Sequence, residues 1–207
     1  MKYALTILAA CAMVLSNSLV ARADPQNGLS DLGQSIAEHL GLEALGVVGT
    51  APNFGNGLLR GGELHFMIRA PHGSFLLGGR FLASGNAGYE VVPGEGPHTA
   101  QSAAFDIGFR ILPFELARNG VYFGAGGSFG SLFVDGMSYR YAGMYTGYIE
   151  SGVEFERQSG LRPLAGLRID LGTVEPVAFT RFTPDRLYYS FTFQLGFLLG
   201  EPDVPRE

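Results

Sequence analysis

The sequence predicts an all-β fold, an eight-stranded antiparallel transmembrane β-barrel with a short N-terminal helix. Three observations carry this expectation. From about Leu58 onward the hydrophobic period is two, the period of a strand whose faces meet different surroundings. The 207 residues include 31 Gly, 16 Phe and 9 Tyr, and only 16% are charged, against roughly 25% in an average soluble domain. The segments between strands alternate between short and long, as they do when one end of a barrel carries turns and the other carries loops. The same composition excludes other classes. The chain is too apolar and aromatic for disorder, lacks the G-X-Y period of collagen, and has one Cys, too few for a disulfide scaffold or a Cys-rich metal site.

Residues 1–23 read as a signal peptide. Met1-Lys2 is a short positive start, Tyr3 to Val20 is largely apolar, and Ala21-Arg22-Ala23 is an A-x-A cleavage site before Asp24-Pro25. Leu8-Ala9-Ala10-Cys11 has the form of a lipoprotein box but comes too early to follow an apolar core. Without residues 1–23 the chain spans 24–207, which is 184 residues. Lys2 (the only lysine) and Arg22 are lost, so 14 basic residues become 12 against 19 acidic ones, a net charge of −7. Cys11 is lost as well. An acidic chain with scattered arginines offers no stripe for nucleic acid. No stretch after residue 24 approaches the ~20 apolar residues of a membrane-spanning helix, so a membrane location requires a closed barrel.

Residues 24–43 form an N-terminal segment. Leu29, Leu32, Ile36 and Leu40 fall at helical spacing, and a short helix is expected over Ser30–His39. The barrel is expected over residues 44–200, followed by a tail at 201–207. Seven strands show clear alternation. Leu64, Phe66 and Ile68 share a face, as do Phe75, Leu77 and Phe81. Phe105, Ile107, Phe109 and Ile111 oppose Asp106, Gly108 and Arg110; Val121, Phe123 and Phe129 oppose Tyr122, Gly124 and Ser128. Tyr145, Ile149 and Val153 oppose Tyr148, Glu150 and Glu154; Leu167, Ile169 and Leu171 oppose Arg168 and Asp170. Tyr189, Phe191, Phe193, Leu195 and Phe197 close the series. Single-chain barrels have even strand numbers, so a further strand is placed before these, at Ala44–Ala51. The expected short connections are Ala70–Gly73, Pro113–Gly120 and Arg157–Leu161. The longer ones are Ser84–Gln101, Asp135–Arg140 and Thr173–Arg186.

Alternation alone also fits a soluble lipocalin-like barrel with its apolar face inward. The polar face distinguishes the two. In water it should carry many long charged side chains, but here it carries Gly61, Gly78, Gly108, Gly124, Gly126, Gly130, Gly152, Gly166, Gly172 and Gly196. Small residues suit a narrow lumen, and large apolar ones suit an exterior in hydrocarbon. Hairpin geometry then sets pairings. A turn at Ala70–Gly73 puts Arg69 opposite Ser74 and Glu63 opposite Arg80. A turn at Arg157–Leu161 puts Glu150 opposite Arg168 and Tyr148 opposite Asp170. The expected lumen network is therefore Glu63, His65, Arg69, Arg80, Asp106, Arg110, Tyr148, Glu150, Glu154, Arg168 and Asp170. Its charges are held as pairs, so Glu150→Ala should destabilise the barrel far more than Glu90→Ala in a long connection.

Strand number, alternating connections, polar lumen and the aromatic-rich last strand Tyr188–Leu199 make residues 44–200 resemble the small outer-membrane β-barrel proteins of the OmpA/OmpX type. The resemblance implies outer-membrane lipid and lipopolysaccharide as surroundings, a monomer, and a structural or surface-interaction role carried by the longer loops. Proteins of this type usually end at an aromatic residue, whereas this chain continues past Leu199 as Gly-Glu-Pro-Asp-Val-Pro-Arg-Glu.

No cofactor motif is present. His39, His65, His72 and His98 show no HxxxH or HExxH spacing, so no metal site is expected, and His65 is read as a lumen histidine bonded to a carboxylate. A lipid-modifying hydrolase would need a Ser with a His and an acid. Ser74 and Ser131 lack a Gly-x-Ser-x-Gly context, and Ser128, which has those letters in Gly126-Gly127-Ser128-Phe129-Gly130, lies in a Gly-rich strand with no helix after it. Asp106, Glu150, Glu154 and Asp170 share their face with arginines, which favours a salt-bridge network over catalytic carboxylates. An eight-stranded lumen is narrow enough to be filled by side chains.

Overall fold

A computed structural model of the chain describes residues 40–52, 58–70, 73–84, 100–116, 119–134, 141–156, 160–176 and 186–199. These residues form eight strands: β1 (Leu40–Thr50), β2 (Leu58–Ala70), β3 (Gly73–Ser84), β4 (Ala100–Leu116), β5 (Asn119–Val134), β6 (Tyr141–Glu154), β7 (Leu161–Pro176) and β8 (Arg186–Leu199). Each pairs antiparallel with the next, and β1 pairs with β8 to close the barrel. Closure leaves no sheet edge, so the backbone groups of the ladder are satisfied without water.

The pairing is staggered. Followed around the barrel, Glu43 leads through His65, Gly78, Asp106, Ser128, Thr146 and Gly172 to Tyr188. Glu43 itself pairs with Leu198, ten residues beyond Tyr188. A shear of ten over eight strands tilts the strands by about 40° when strand rise and spacing are ordinary.

Among the side chains described, inward positions keep one parity along each strand. In β1 and β2 the buried positions carry odd numbers, as at Glu43, Leu45, Glu63 and His65; in β3 to β8 they carry even numbers, as at Arg80, Asp106, Tyr122, Tyr148, Asp170 and Gln194. On β7 the two faces separate cleanly: Leu167 is 59% exposed, Arg168 1%, Ile169 39%, Asp170 0% and Leu171 59%. Large apolar side chains thus ring the outside, among them Phe66, Phe81, Phe105, Phe129, Ile149, Leu195 and Phe197. Among the described residues no helix is long and apolar enough to cross a membrane.

Several boundaries differ from expectation. β1 begins at Leu40 rather than Ala44, so Leu40–Glu43 belong to the barrel. β4 runs through Pro113 to Leu116, with a register shift between Ile111 and Phe114. Proline has no N–H to give to a ladder, and the irregularity accommodates it. β7 continues to Pro176, beyond the expected start of a long connection at Thr173. Between β6 and β7 the Phe155 N–H donates to the Pro163 carbonyl at 2.8 Å, and Gly160 takes a φ of +85°, which favours glycine. The expected signal peptide, the helix at Ser30–His39, most of the two longest connections and the 201–207 tail lie outside the described residues.

Candidate functional site

The interior holds a charged network at mid-height, between two apolar layers. Met67, Leu76, Leu164 and Leu198 lie toward the turn ends of their strands; Leu59, Leu82, Leu132, Met144, Val174 and Tyr188 lie toward the opposite ends, and all are buried. Alternation in the sequence places Tyr188 on the polar face but does not mark the other apolar residues there. They are too sparse among polar residues to show as a period.

Arg110 anchors one half of the network. Its Nε donates to Glu150 Oε1 at 2.5 Å and its Nη2 to Glu150 Oε2 at 3.1 Å. Its Nη2 also donates to Glu43 Oε1 at 3.0 Å, and its Nη1 to Glu43 Oε2. One guanidinium thereby forks onto two carboxylates, a geometry lysine cannot supply. Its plane lies 4.3 Å from the centroid of the Tyr122 ring.

Arg168 anchors the other half. Its Nη1 donates to Asp106 Oδ2 at 2.7 Å, its Nη2 to Ser128 Oγ at 2.7 Å and to Asp170 Oδ1 at 3.0 Å, and its Nε to the same Oδ1 at 3.2 Å. It lies 3.7 Å from the Tyr148 ring centroid. Arg80 Nη1 donates to Asp170 Oδ2 at 2.7 Å, and Ser190 Oγ donates to the same oxygen at 2.9 Å. Gln194 Nε2 donates to Glu63 Oε2 at 2.8 Å. His65 joins the halves, with Nδ1 2.9 Å from Glu43 Oε1 and Nε2 3.4 Å from Asp106 Oδ2. The result is one chain of contacts: Glu150, Arg110, Glu43, His65, Asp106, Arg168, Asp170, Arg80. Separately, toward the turn end, Arg69 Nη2 donates to Glu154.

The eleven residues assigned to the lumen from sequence are all buried. The adjacent-strand registers also stand as the hairpins implied, with Glu63 opposite Arg80, Arg69 opposite Ser74, Glu150 opposite Arg168 and Tyr148 opposite Asp170. The hydrogen bonds run differently. Arg80 of β3 donates to Asp170 of β7, Glu150 of β6 accepts from Arg110 of β4, and Arg168 of β7 donates to Asp106 of β4. In a tilted, narrow barrel a long side chain reaches past its cross-strand neighbour. The glycines make this reach possible. A Cβ at Gly124 would stand 2.5 Å from Glu150 Oε1 and 3.0 Å from Arg110 Cγ, where those two side chains pass over β5 to meet. A Cβ at Gly166 would stand 2.2 Å from Tyr122 Oη.

Sequence reasoning missed Glu43, which accepts from both Arg110 and His65. Its signal was the continued alternation Gly41, Glu43, Leu45, Val47 on the inward face of β1. The hydrolase arrangement is not assembled at His65. Ser128 Oγ donates to Asp106 Oδ1 at 2.5 Å and His65 meets the same carboxylate, so the acid stands between hydroxyl and imidazole. A nucleophile needs the base beside it.

No protein-family model matches this chain, and no curated protein sequence does. Solved structures do. Neisserial surface protein A (NspA) is similar over 78% of this chain and 95% of its own, at 13% identity and a TM-score of 0.56. The N-terminal β-barrel domain of Pseudomonas aeruginosa OprF follows at 12% identity and 0.44, over 77% of this chain and 97% of its own. Ail, the attachment invasion locus protein of Yersinia pestis, is similar at 11% and 0.42, over 77% and 96%. The likeness to NspA shows a shared fold, the small eight-stranded barrel.

Proposed function

We propose that this barrel sits in the outer membrane of a Gram-negative bacterium, after export by its 1–23 signal peptide, and acts through its longer loops as a structural or surface-interaction protein. One observation carries the reading: the strands are inverted relative to a water-soluble barrel. Phenylalanine, leucine and isoleucine project outward, while ten buried Arg, Asp and Glu side chains project into the lumen. A lipocalin-like barrel has the opposite polarity, with an apolar cavity to receive its ligand. Outward apolar area of this extent costs free energy in water and none in hydrocarbon. The filled interior, layered apolar–charged–apolar, favours a scaffold over an open pore and leaves recognition to the loops.

Cell fractionation tests the location. The protein is expected to remain in the outer-membrane pellet after a carbonate wash, and release into the soluble fraction would defeat the reading. Shortening the 85–99 connection should then abolish binding to host or bacterial surface ligands without altering the heat-dependent gel shift of the folded barrel. A loss of that shift would mean the segment serves folding instead.

A further inference from the structure

We infer that Glu63, His65 and Asp106 form a binding site for a divalent transition-metal ion of the zinc type inside the barrel. One ligand atom from each lies within 4.8 Å of those of the other two, and all three residues are buried. They come from β2 and β4, with His65 and Glu63 at successive inward positions and Asp106 reaching past Gly78 of β3. A Cβ at Gly78 would stand 2.4 Å from the His65 ring.

Four further features fit a metal ion. The first is His65 itself. Its Nδ1 is tied to Glu43 Oε1 at 2.9 Å, which leaves Nε2, beside Asp106 Oδ2, as the nitrogen free to ligate. A carboxylate on the far nitrogen is the usual way a ligating histidine is oriented. The second is spacing. Nε2 and Asp106 Oδ2 are 3.4 Å apart. That is long for an N–H···O bond, but two ligands about 2.0–2.1 Å from a tetrahedral ion stand about 3.3–3.4 Å from one another. The third is an orphan. Glu63 is 4% exposed, and its Oε1 has no hydrogen-bond partner while Oε2 accepts from Gln194. A buried carboxylate oxygen with nothing to accept from is costly. The fourth is charge. The connected network holds the carboxylates of Glu43, Glu63, Asp106, Glu150 and Asp170 against the guanidiniums of Arg80, Arg110 and Arg168. Five negative and three positive groups sum to −2 when His65 is the neutral ligand and to −1 when it is an imidazolium, so the network has room for added positive charge in either state.

Arg168 is the competing cation, with Nη1 2.7 Å from Asp106 Oδ2 and 3.7 Å from Glu63 Oε2. A carboxylate oxygen has two lone pairs, so Oδ2 accepts from Arg168 and ligates at once. The other carboxylate oxygen, Oδ1, is held by Ser128 at 2.5 Å. Imidazole and carboxylate donors without thiolate suit zinc, cobalt or manganese better than copper(I). Three protein ligands leave a fourth position for water.

The test refolds urea-unfolded protein into detergent micelles with zinc chloride, cobalt chloride or magnesium chloride present, then removes loose metal on a chelating column. Wild-type barrel is expected to retain about one zinc ion, with a strong visible ligand-field spectrum in the cobalt form and no retained magnesium. Glu63→Gln and His65→Gln barrels of folded gel mobility should each retain less by about ten-fold or more. Wild-type barrel that retains no zinc, or folded variants that retain as much as wild type, overturn the site. Should either variant fail to reach folded mobility, the wild-type cobalt spectrum decides: tetrahedral bands support the site and their absence refutes it.

Discussion

Ile149 and Glu150 are neighbours on β6, yet one is 60% exposed and the other 5%. Ile149 belongs to an outer face held by nothing but its surroundings, whereas Glu150 belongs to an inner face held by named partners. The difference teaches where specificity and stability reside. In the membrane setting proposed above, outward side chains are interchangeable so long as they are apolar, because hydrocarbon makes no directional demands. Inward side chains are not, because each charge depends on one or two others. Buried ion pairs return little net stability for their desolvation. The lumen network therefore contributes mainly by fixing which strand positions meet, while the closed ladder and the apolar exterior supply the stability.

Four tests break or sharpen this contrast. The largest effect is expected from Arg110→Met, which strands Glu150 and leaves Glu43 with His65 alone, and should cost about 3–5 kcal/mol in urea unfolding from vesicles. A change below about 1 kcal/mol would show that the carboxylates find other partners. Next is Ile149→Arg on the outer face, expected to cost about 2–4 kcal/mol in a bilayer. No change in stability would mean that this face meets water.

Third is Gly166→Ala, which pushes a methyl group against Tyr122 Oη and should cost about 1–3 kcal/mol. Tyr122 Oη has no hydrogen-bond partner, so Tyr122→Phe should be close to neutral alone and should restore much of the loss in the double variant. Additive costs would place the strain elsewhere. The smallest effect is Gly160→Ala at the β6–β7 turn. A Cβ there meets nothing within 4 Å, so only the positive φ opposes it. A cost of about 1 kcal/mol is expected from the same urea titration.

The sequence made the hairpins legible because turn position and strict alternation together set a register. Glu63 opposite Arg80 and Glu150 opposite Arg168 follow from two turn centres alone. Hydrogen-bond partners were not legible, because hairpin register speaks only of adjacent strands. The meeting of Arg80 with Asp170, or of His65 with Asp106, depends on shear, and shear appears only when the barrel closes. Glu43 was missed for a related reason. β1 is joined to β2 by residues 51–57, whose sequence marks no turn centre, so its start could not be counted from one. The lack of paired-histidine spacing spoke against a metal site. Spacing rules cover ligands on one element, and Asp106 lies 41 residues from His65.

The strict parity of inward positions away from the β4 bulge has a consequence for the gene. Loss of a single codon within β5 would turn the residues on one side of it inside out, sending polar lumen residues to the outer face and phenylalanines into the charged interior. Loss of two adjacent codons would keep both faces and shift only their height. Segments between strands carry no such arithmetic. Heritable length changes should therefore accumulate freely between strands and enter strands in pairs or as bulges, such as the irregularity at Pro113. The barrel passes on its topology as odd and even positions, and its connections are where lineages of this protein can differ.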